Sequence, residues 1–206
     1  MNKLIKYSIA VALIVFSIYN SIYIESITER KKEKQSTVFN AKVFAENFMT
    51  TQVHKIPAIK ASNFLTGIST DLEKYCQKKG KVLGISDYNN FVIDGNATVS
   101  AIEDDYILVT LVNNKTQKIK IATDYIFGNS IRDAANIADI GEFQNTMDFN
   151  NISIELNNIV REKVIPSFVD KIKEGSLIYF KGAIKINLKS PDFENLKMIP
   201  LIIKLK

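Results

Sequence analysis

From Tyr7 to Ile24 the chain carries no charged residue, reading YSIAVALIVFSIYNSIYI, with Lys3 and Lys6 before it and Glu25 closing it. A helix of these eighteen residues would rise about 27 Å, close to the thickness of a bilayer core. Leu4 and Ile5 can lengthen the run if Lys6 reaches back to water. Tyr19 and Tyr23 stand near its exit, where tyrosine favours the membrane interface. A cleaved secretory signal is the rival reading, but it wants small residues at the cut, and bulky Tyr19 lies between Ser17 and Ser21. A lipid-carrying signal would need a cysteine there, and the single cysteine is Cys76. We therefore expect an uncleaved signal anchor over residues 1–24 and a single-pass membrane protein. The flanking bases do not orient it. Lys3 and Lys6 stand against Arg30, Lys31, Lys32 and Lys34, a near tie under the positive-inside rule.

Composition narrows the chemistry. The 206 residues carry 27 basic and 22 acidic side chains, a net charge of +5, and the two signs are interspersed along the chain. That pattern reads as ordinary solvation, whereas a nucleic-acid binder usually shows a basic face or stripe. One histidine, His54, and one cysteine leave no multi-histidine metal centre, no catalytic triad and no paired-cysteine site. The eight glycines are scattered, so no phosphate-cradling loop is present. No metal and no cofactor is expected, and no catalytic residue is assigned.

Beyond the anchor, residues 25–37 form a charged juxtamembrane linker and residues 38–90 a helical region. Phe39, Val43, Phe44 and Phe48 recur at helical spacing, and Pro57 closes that element. A second helix is expected over Asn63 to Lys79, with Cys76 on its packed face as a structural thiol and Gly80 as a left-handed stop. From residue 91 to 206 the period is mainly two. Strands are expected at Asn96–Glu103, Tyr106–Val112, Gln117–Thr123, Leu177–Leu188 and Met198–Leu205, the second and third joined by an Asn113-Asn114-Lys115 turn. Between the third and fourth, Ile152, Leu156, Val160, Val164, Phe168 and Ile172 recur every four residues. This long helix would be capped by Asp148 or Asn150 and kinked at Pro166. The order suits an α+β chain with an OB-like, five-stranded antiparallel barrel and a long helix between strands 3 and 4.

Few residues suggest a site. Gly128-Asn129-Ser130-Ile131-Arg132-Asp133-Ala134 lies in the connection before the long helix, and Arg132 offers a planar fork for a carboxylate or phosphate. Asn145 continues that connection, and Asn157-Asn158 lies on the polar side of the helix, where amides can read hydroxyl groups. Arg132, Asp133, Asn145 and Asn157 are thus the candidate ligand or partner contacts. The bland alternative is that the same groups tie the loop to the body. Glu103, Asp104 and Asp105 read as a solvated turn and His54 as a surface or capping histidine. Tyr179, Phe180, Lys181 and Lys185 share one strand and are the best candidates for a stacking, basic surface.

The segment Gly128-Asn-Ser-Ile-Arg-Asp-Ala134, with Phe143, Asn145, Leu156-Asn157, Phe180-Lys-Gly-Ala183 and Pro200-Leu-Ile-Ile-Lys204, resembles a bacterial family of predicted periplasmic lipoproteins of unknown function. That family is associated with sugar ABC transporter genes. The resemblance implies an extracytoplasmic domain held at the cell membrane, and it decides the orientation that charge leaves tied. It implies a non-catalytic accessory of a sugar or solute ABC uptake system, binding a transporter component, a solute-binding protein or the ligand, with no nucleic-acid partner. The chain departs from the family in lacking the lipid-anchoring cysteine and in carrying Asn145-Thr146 for an Asn-Gln pair. Two other functions stay open. One is a membrane-tethered carbohydrate-acting enzyme using Asp133, Asp139 and Glu142. The other is an OB-type nucleic-acid-binding module facing the cytoplasm. Oligomeric state is not specified by the sequence. On the binding reading, Arg132→Ala should weaken association and leave the fold largely intact.

Overall fold

The computed structural model describes residues 39–143 and 145–206, together with Ile5, Tyr7, Ala12, Ile14, Phe16, Ser17 and Tyr19, which are helical and exposed. The rest of the expected anchor and the whole linker 25–37 lie outside the described residues. Among the described residues no helix is long and apolar enough to cross a membrane. The chain divides into two units, Met1–Phe39 and Asn40–Lys206, and everything below concerns the second.

Helix α1 (Ala41–Asn47) starts where the Asn40 side chain accepts from the Val43 amide at 3.1 Å, and it continues into a π turn over Phe48–Gln52. The single helix expected over Asn63–Lys79 is two, α2 (Ala61–Thr70) and α3 (Leu72–Lys79). Asp71 breaks them: its backbone is extended and its carboxylate accepts from the Lys74 amide at 3.0 Å, capping α3. Phe64, Tyr75 and Phe91 pack together, with ring centroids 5.1 Å apart for Phe64–Phe91 and 6.0 Å for Tyr75–Phe91. Cys76 is buried, and desolvation raises its thiol pKa, as a structural thiol should show. Gly80 is not left-handed, having φ −72°. It is glycine for space, since a Cβ there would lie 2.3 Å from Asn89 Oδ1 and 2.7 Å from the Cys76 carbonyl oxygen.

The described residues include six strands, β1 (Ile59–Lys60) just before α2, then β2 (Tyr88–Ile102), β3 (Tyr106–Leu111), β4 (Asn114–Ala122), β5 (Leu177–Asn187) and β6 (Lys197–Leu205). They pair in the order β1-β2-β3-β4-β6-β5, and β5 pairs again with β2, so the pairings starting at β2 return to it. The architecture is α+β, as expected, but the sheet is mixed rather than antiparallel. The short β1 runs parallel to β2, and β4 runs parallel to β6. Strand β2 also begins at Tyr88, well before the alternation expected from Asn96. Asn89 to Asp94 are buried without interruption, and a strand covered on both faces loses its period of two. The tie of β1 to β2 includes an ion pair of Lys60 Nζ with Asp94 Oδ2 at 2.8 Å. The β3–β4 turn falls one residue early, because Asn114 already pairs with Leu111.

Between β4 and β5 lie α4 (Ser130–Ala135), a 3-10 turn (Ile140–Glu142), α5 (Thr146–Ile159), a π turn (Val160–Val164) and α6 (Ile165–Val169). A strict recurrence every four residues exceeds the 3.6 of an α-helix and would drift around its surface. The wider π turn absorbs that drift, and Ile152, Leu156, Val160, Phe168 and Ile172 are all buried. It also precedes Pro166, whose missing N–H and ring would disrupt an unbroken α-helix. Each such aliphatic or aromatic side chain contributes about 1.5–3 kcal/mol when fully buried.

Two expectations about surface groups change. Phe180 is fully buried and Lys181 is 4% exposed, so Tyr179, Phe180, Lys181 and Lys185 form no stacking surface. Successive residues of β5 point to opposite faces, and Phe180 belongs to the core face. Asp105 is not simply a solvated turn residue, since it pairs with Lys197. His54 is exposed.

Candidate functional site

Strand β4 runs into a loop that shows two aromatic rings to solvent. Tyr125 and Phe127 are 72% and 71% exposed, while Ile126 between them is buried. Tyr125 has φ +55°, a conformation bulky residues rarely adopt, with its N–H donating to Asp124 Oδ1 at 2.7 Å. Gly128 has φ +84°, where glycine is the natural occupant. The loop is held from α5 and the π turn after it. Arg161 Nη1 donates to the Ile126 carbonyl, and Asn157 Nδ2 donates to the Gly128 carbonyl at 2.7 Å.

Helix α4 brings Arg132 and Asp133 inside the protein. Arg132 is 3% exposed and lies over the Phe149 ring, with Cζ 3.7 Å from the ring centroid. Its Nε donates to Asp133 Oδ1 at 2.8 Å, and Nη1 donates to the Phe149 carbonyl at 3.1 Å and to Asn150 Oδ1 at 3.3 Å. Among the described residues Nη2 has no acceptor. Asp133 Oδ2 accepts from Asn129 Nδ2 at 2.5 Å. Lys81 Nζ donates to the Ala134 carbonyl at 2.8 Å, and desolvation lowers the pKa of that ammonium. The motif therefore braces α4 against α5, and its burial makes Arg132→Ala a disruptive change rather than the mild one expected from sequence.

Between the loop and α5 opens a cleft of about 400 Å³, lined by Phe127, Arg132, Ser153, Ile154, Asn157 and Arg161 together with Gly128, Asn129 and Asn150. Ser153 and Asn157 are buried, and among the described residues Ser153 Oγ and Asn157 Oδ1 have no hydrogen-bond partner, as is also true of Asn90 Oδ1, Asp94 Oδ1, Gln117 Oε1 and Thr123 Oγ1 outside the cleft. The bond from Asn157 Nδ2 to Gly128 fixes which end of that amide is the carbonyl.

Of the four candidate contacts, the structure brings Arg132 and Asn157 to this cleft. Asp133 is not in its lining and is taken up by Arg132 and Asn129. Asn145 caps α5, accepting from the Asp148 amide at 2.8 Å and donating to Asp148 Oδ2 at 2.9 Å, in place of the expected Asp148 or Asn150. Asn157 sits not on a solvated face but 4% exposed. Asp139, a candidate for the enzymatic alternative, accepts from the Gly141 amide at 2.8 Å and caps the 3-10 turn. Reasoning from sequence missed Phe127, Ser153 and Arg161. A signal was there: Asn150, Ser153, Asn157 and Arg161 fall three, four and four apart, a polar stripe on one face of the helix.

Residues 12–204 match the model of a family described as predicted periplasmic lipoprotein (DUF2291). The chain belongs to that family. Its members have no assigned biochemical activity, and the family description gives them an extracytoplasmic, membrane-associated place. In this family member the single cysteine, Cys76, is buried in the folded domain. The chain is also similar to the crystal structure of an OB-fold protein from Thermotoga maritima, at 28% identity and a TM-score of 0.73, over 82% of this chain and 100% of that one. No curated protein matches it.

Proposed function

We propose that this DUF2291 member is a non-catalytic binding module, held at the outer face of the cell membrane by its N-terminal segment as a single-pass anchor. It would serve as an accessory of a solute ABC uptake system, engaging a transporter component or its ligand at the cleft beside α5. The observation that carries this reading is the lining of that cleft, where exposed Phe127 stands with the two guanidinium groups of Arg132 and Arg161 and no carboxylate is among the lining residues. The returning strand pairings support treating β2 to β6 as an OB barrel, a scaffold that displays loops on a rigid wall. The lining contains no Asp, Glu, His or Cys, which favours binding over acid–base or nucleophilic chemistry.

A photo-crosslinking residue in place of exposed Phe127, in the full chain in native membranes, tests this. The expected product is a covalent adduct with a subunit of a solute-uptake system, absent when the crosslinker replaces exposed Ile85 instead. Adducts with cytoplasmic proteins or nucleic acid would overturn the reading.

A further inference from the structure

Strand β4 meets β6 through two residue pairs, Lys120 with Lys197 and Ile121 with Met198. The stretch before them, Asn114–Ile119, pairs with β3 alone among the strands of the described residues. On such an edge alternate backbone N–H and C=O groups point outward, open to a further strand. A groove of about 550 Å³ touches Lys118, Ile119 and Lys120 in succession. Neighbouring strand residues point to opposite faces, so a groove that reaches all three meets β4 at its edge rather than over one face.

The two faces of β4 differ in chemistry at this edge. Lys118 and Lys120 share one face, and Gln117 and Ile119 share the other. Gln117 Nε2 donates to Thr66 Oγ1 at 3.1 Å and to the Ser62 carbonyl at 3.4 Å, which places α2 on the Ile119 side. There Leu65 and Ile68 give the groove an apolar wall, and Phe193, half exposed in the loop between β5 and β6, adds to it. The other face is cationic. β4 carries Lys115, Lys118 and Lys120 and no acidic residue. Lys120 holds the Glu194 carbonyl. Lys115 and Lys118 are exposed and have no ion-pair partner among the described residues. Glu194 is the one carboxylate in the lining, and it belongs to the loop rather than to the strand. A second copy pairing through the same edge would bring three lysines from each chain to one seam, and like charges directly opposite are unfavourable.

We propose that the β4 edge accepts an extended segment of a partner protein as an added strand, one whose residues alternate acidic and apolar. Residues opposite each other on paired strands share a face. Acidic side chains of the added strand then lie beside Lys118 and Lys120, and apolar ones lie beside Ile119, against Leu65 and Ile68 of α2. Main-chain hydrogen bonds to the edge supply affinity, and the alternation of charge and apolar contact supplies selectivity. This groove shares no lining residue with the cleft beside α5, so the two surfaces are tested apart.

The detergent-solubilised full chain, titrated with a fluorescent, terminally blocked peptide Glu-Val-Glu-Val-Glu-Val and followed by anisotropy, tests it. That peptide should bind at least about tenfold more tightly than Lys-Val-Lys-Val-Lys-Val and than the block isomer Glu-Glu-Glu-Val-Val-Val. Lys118→Glu should weaken it about tenfold. Lys118 is exposed, so the melting temperature of that variant should match wild type and the affinity loss will not come from unfolding. In the unaltered chain, bound peptide should slow hydrogen exchange at alternate amides of Asn114–Ile119, which an edge leaves open to water. Equal binding of the block isomer would remove the alternation, and equal binding of the lysine peptide would remove the charge; either overturns the proposal. So would no binding of the acidic peptide at millimolar concentration, or binding that leaves the exchange of those amides unchanged. An oligothymidylate that binds the edge where the acidic peptide fails would make it a nucleic-acid surface instead. None of these outcomes bears on the Phe127 crosslink, so the strand-addition inference and the reading of the α5 cleft stand or fall separately.

Discussion

The ammonium group of Lys181, on β5, donates to the carbonyl oxygen of Ile56 at 2.6 Å and to that of Val53 at 2.9 Å. A third carbonyl, of His54, lies at 3.4 Å. One buried side chain thereby ends the backbone accounting for the irregular segment that follows α1, which has no strand or helix to satisfy those oxygens. Lys181→Met should leave them without a donor and destabilise the domain by about 2–4 kcal/mol, read as a shift in the urea midpoint. Burial lowers the pKa of Lys181 below its ordinary 10.5, with Asp94 opposing that and Lys60 adding to it. The folded state therefore releases this proton before the unfolded state does. Below the folded pKa the full penalty applies; as pH rises from there towards 10.5 the unfolded chain binds more protons and the penalty fades. The stability gap between wild type and Lys181→Met should widen over that alkaline window. A gap that narrows there would refute the assignment.

Arg132 and Asp133 form a buried pair, each side chain 4% exposed. Removing one partner strands the other, so Arg132→Met and Asp133→Leu should each destabilise by about 3–5 kcal/mol. Replacing both with apolar residues of similar volume, as in Arg132→Met with Asp133→Leu, should do less damage than the two single changes added together. Chemical denaturation of the four species gives the coupling directly. Strict additivity would show that the pair acts through something other than its mutual charge.

Asn145 was a candidate contact, and the structure gives it a helix cap. Asn145→Ala should destabilise by about 1 kcal/mol, and Asn145→Ser should recover most of that, since serine caps comparably well. Neither should alter binding at the cleft. A binding loss that Asn145→Ser fails to restore would return Asn145 to the site.

The legible part of this chain was the part written in periodicity. The strands after Asn96, the long helix and the helices at Ala41–Asn47, Ala61–Thr70 and Leu72–Lys79 lie where apolar spacing put strand and helix. Double burial erased the alternation at Asn89–Asp94, so the start of β2 was hidden. Parallel pairing was hidden too, because the spacing along β4 and β6 carries no record of strand direction. At the site, Arg132 and Asn157 stood out by residue type. Whether a polar residue braces the fold or waits for a ligand depends on its partners, though, and those come from distant segments: Phe149 and Asn150 for Arg132, Gly128 for Asn157. Ser153 looked like any helix serine until its hydroxyl proved to be buried with nothing to bond.

Ser153 and Asn157 stand one turn apart on the same wall and should respond to truncation in opposite ways. Asn157 Nδ2 holds the Gly128 carbonyl, so Asn157→Ala removes a bond that positions the aromatic loop and should destabilise by about 1–2 kcal/mol. Ser153 Oγ holds no group among the described residues. Burying an unpaired hydroxyl is itself unfavourable, so Ser153→Ala should change stability by less than about 0.5 kcal/mol, or raise it. Thermal melts of the two variants beside wild type check the contrast. A Ser153→Ala variant destabilised as much as Asn157→Ala would mean that the hydroxyl serves the fold. A neutral or stabilised variant would mean that this hydroxyl is kept for reasons other than stability, the trade expected where binding and stability compete.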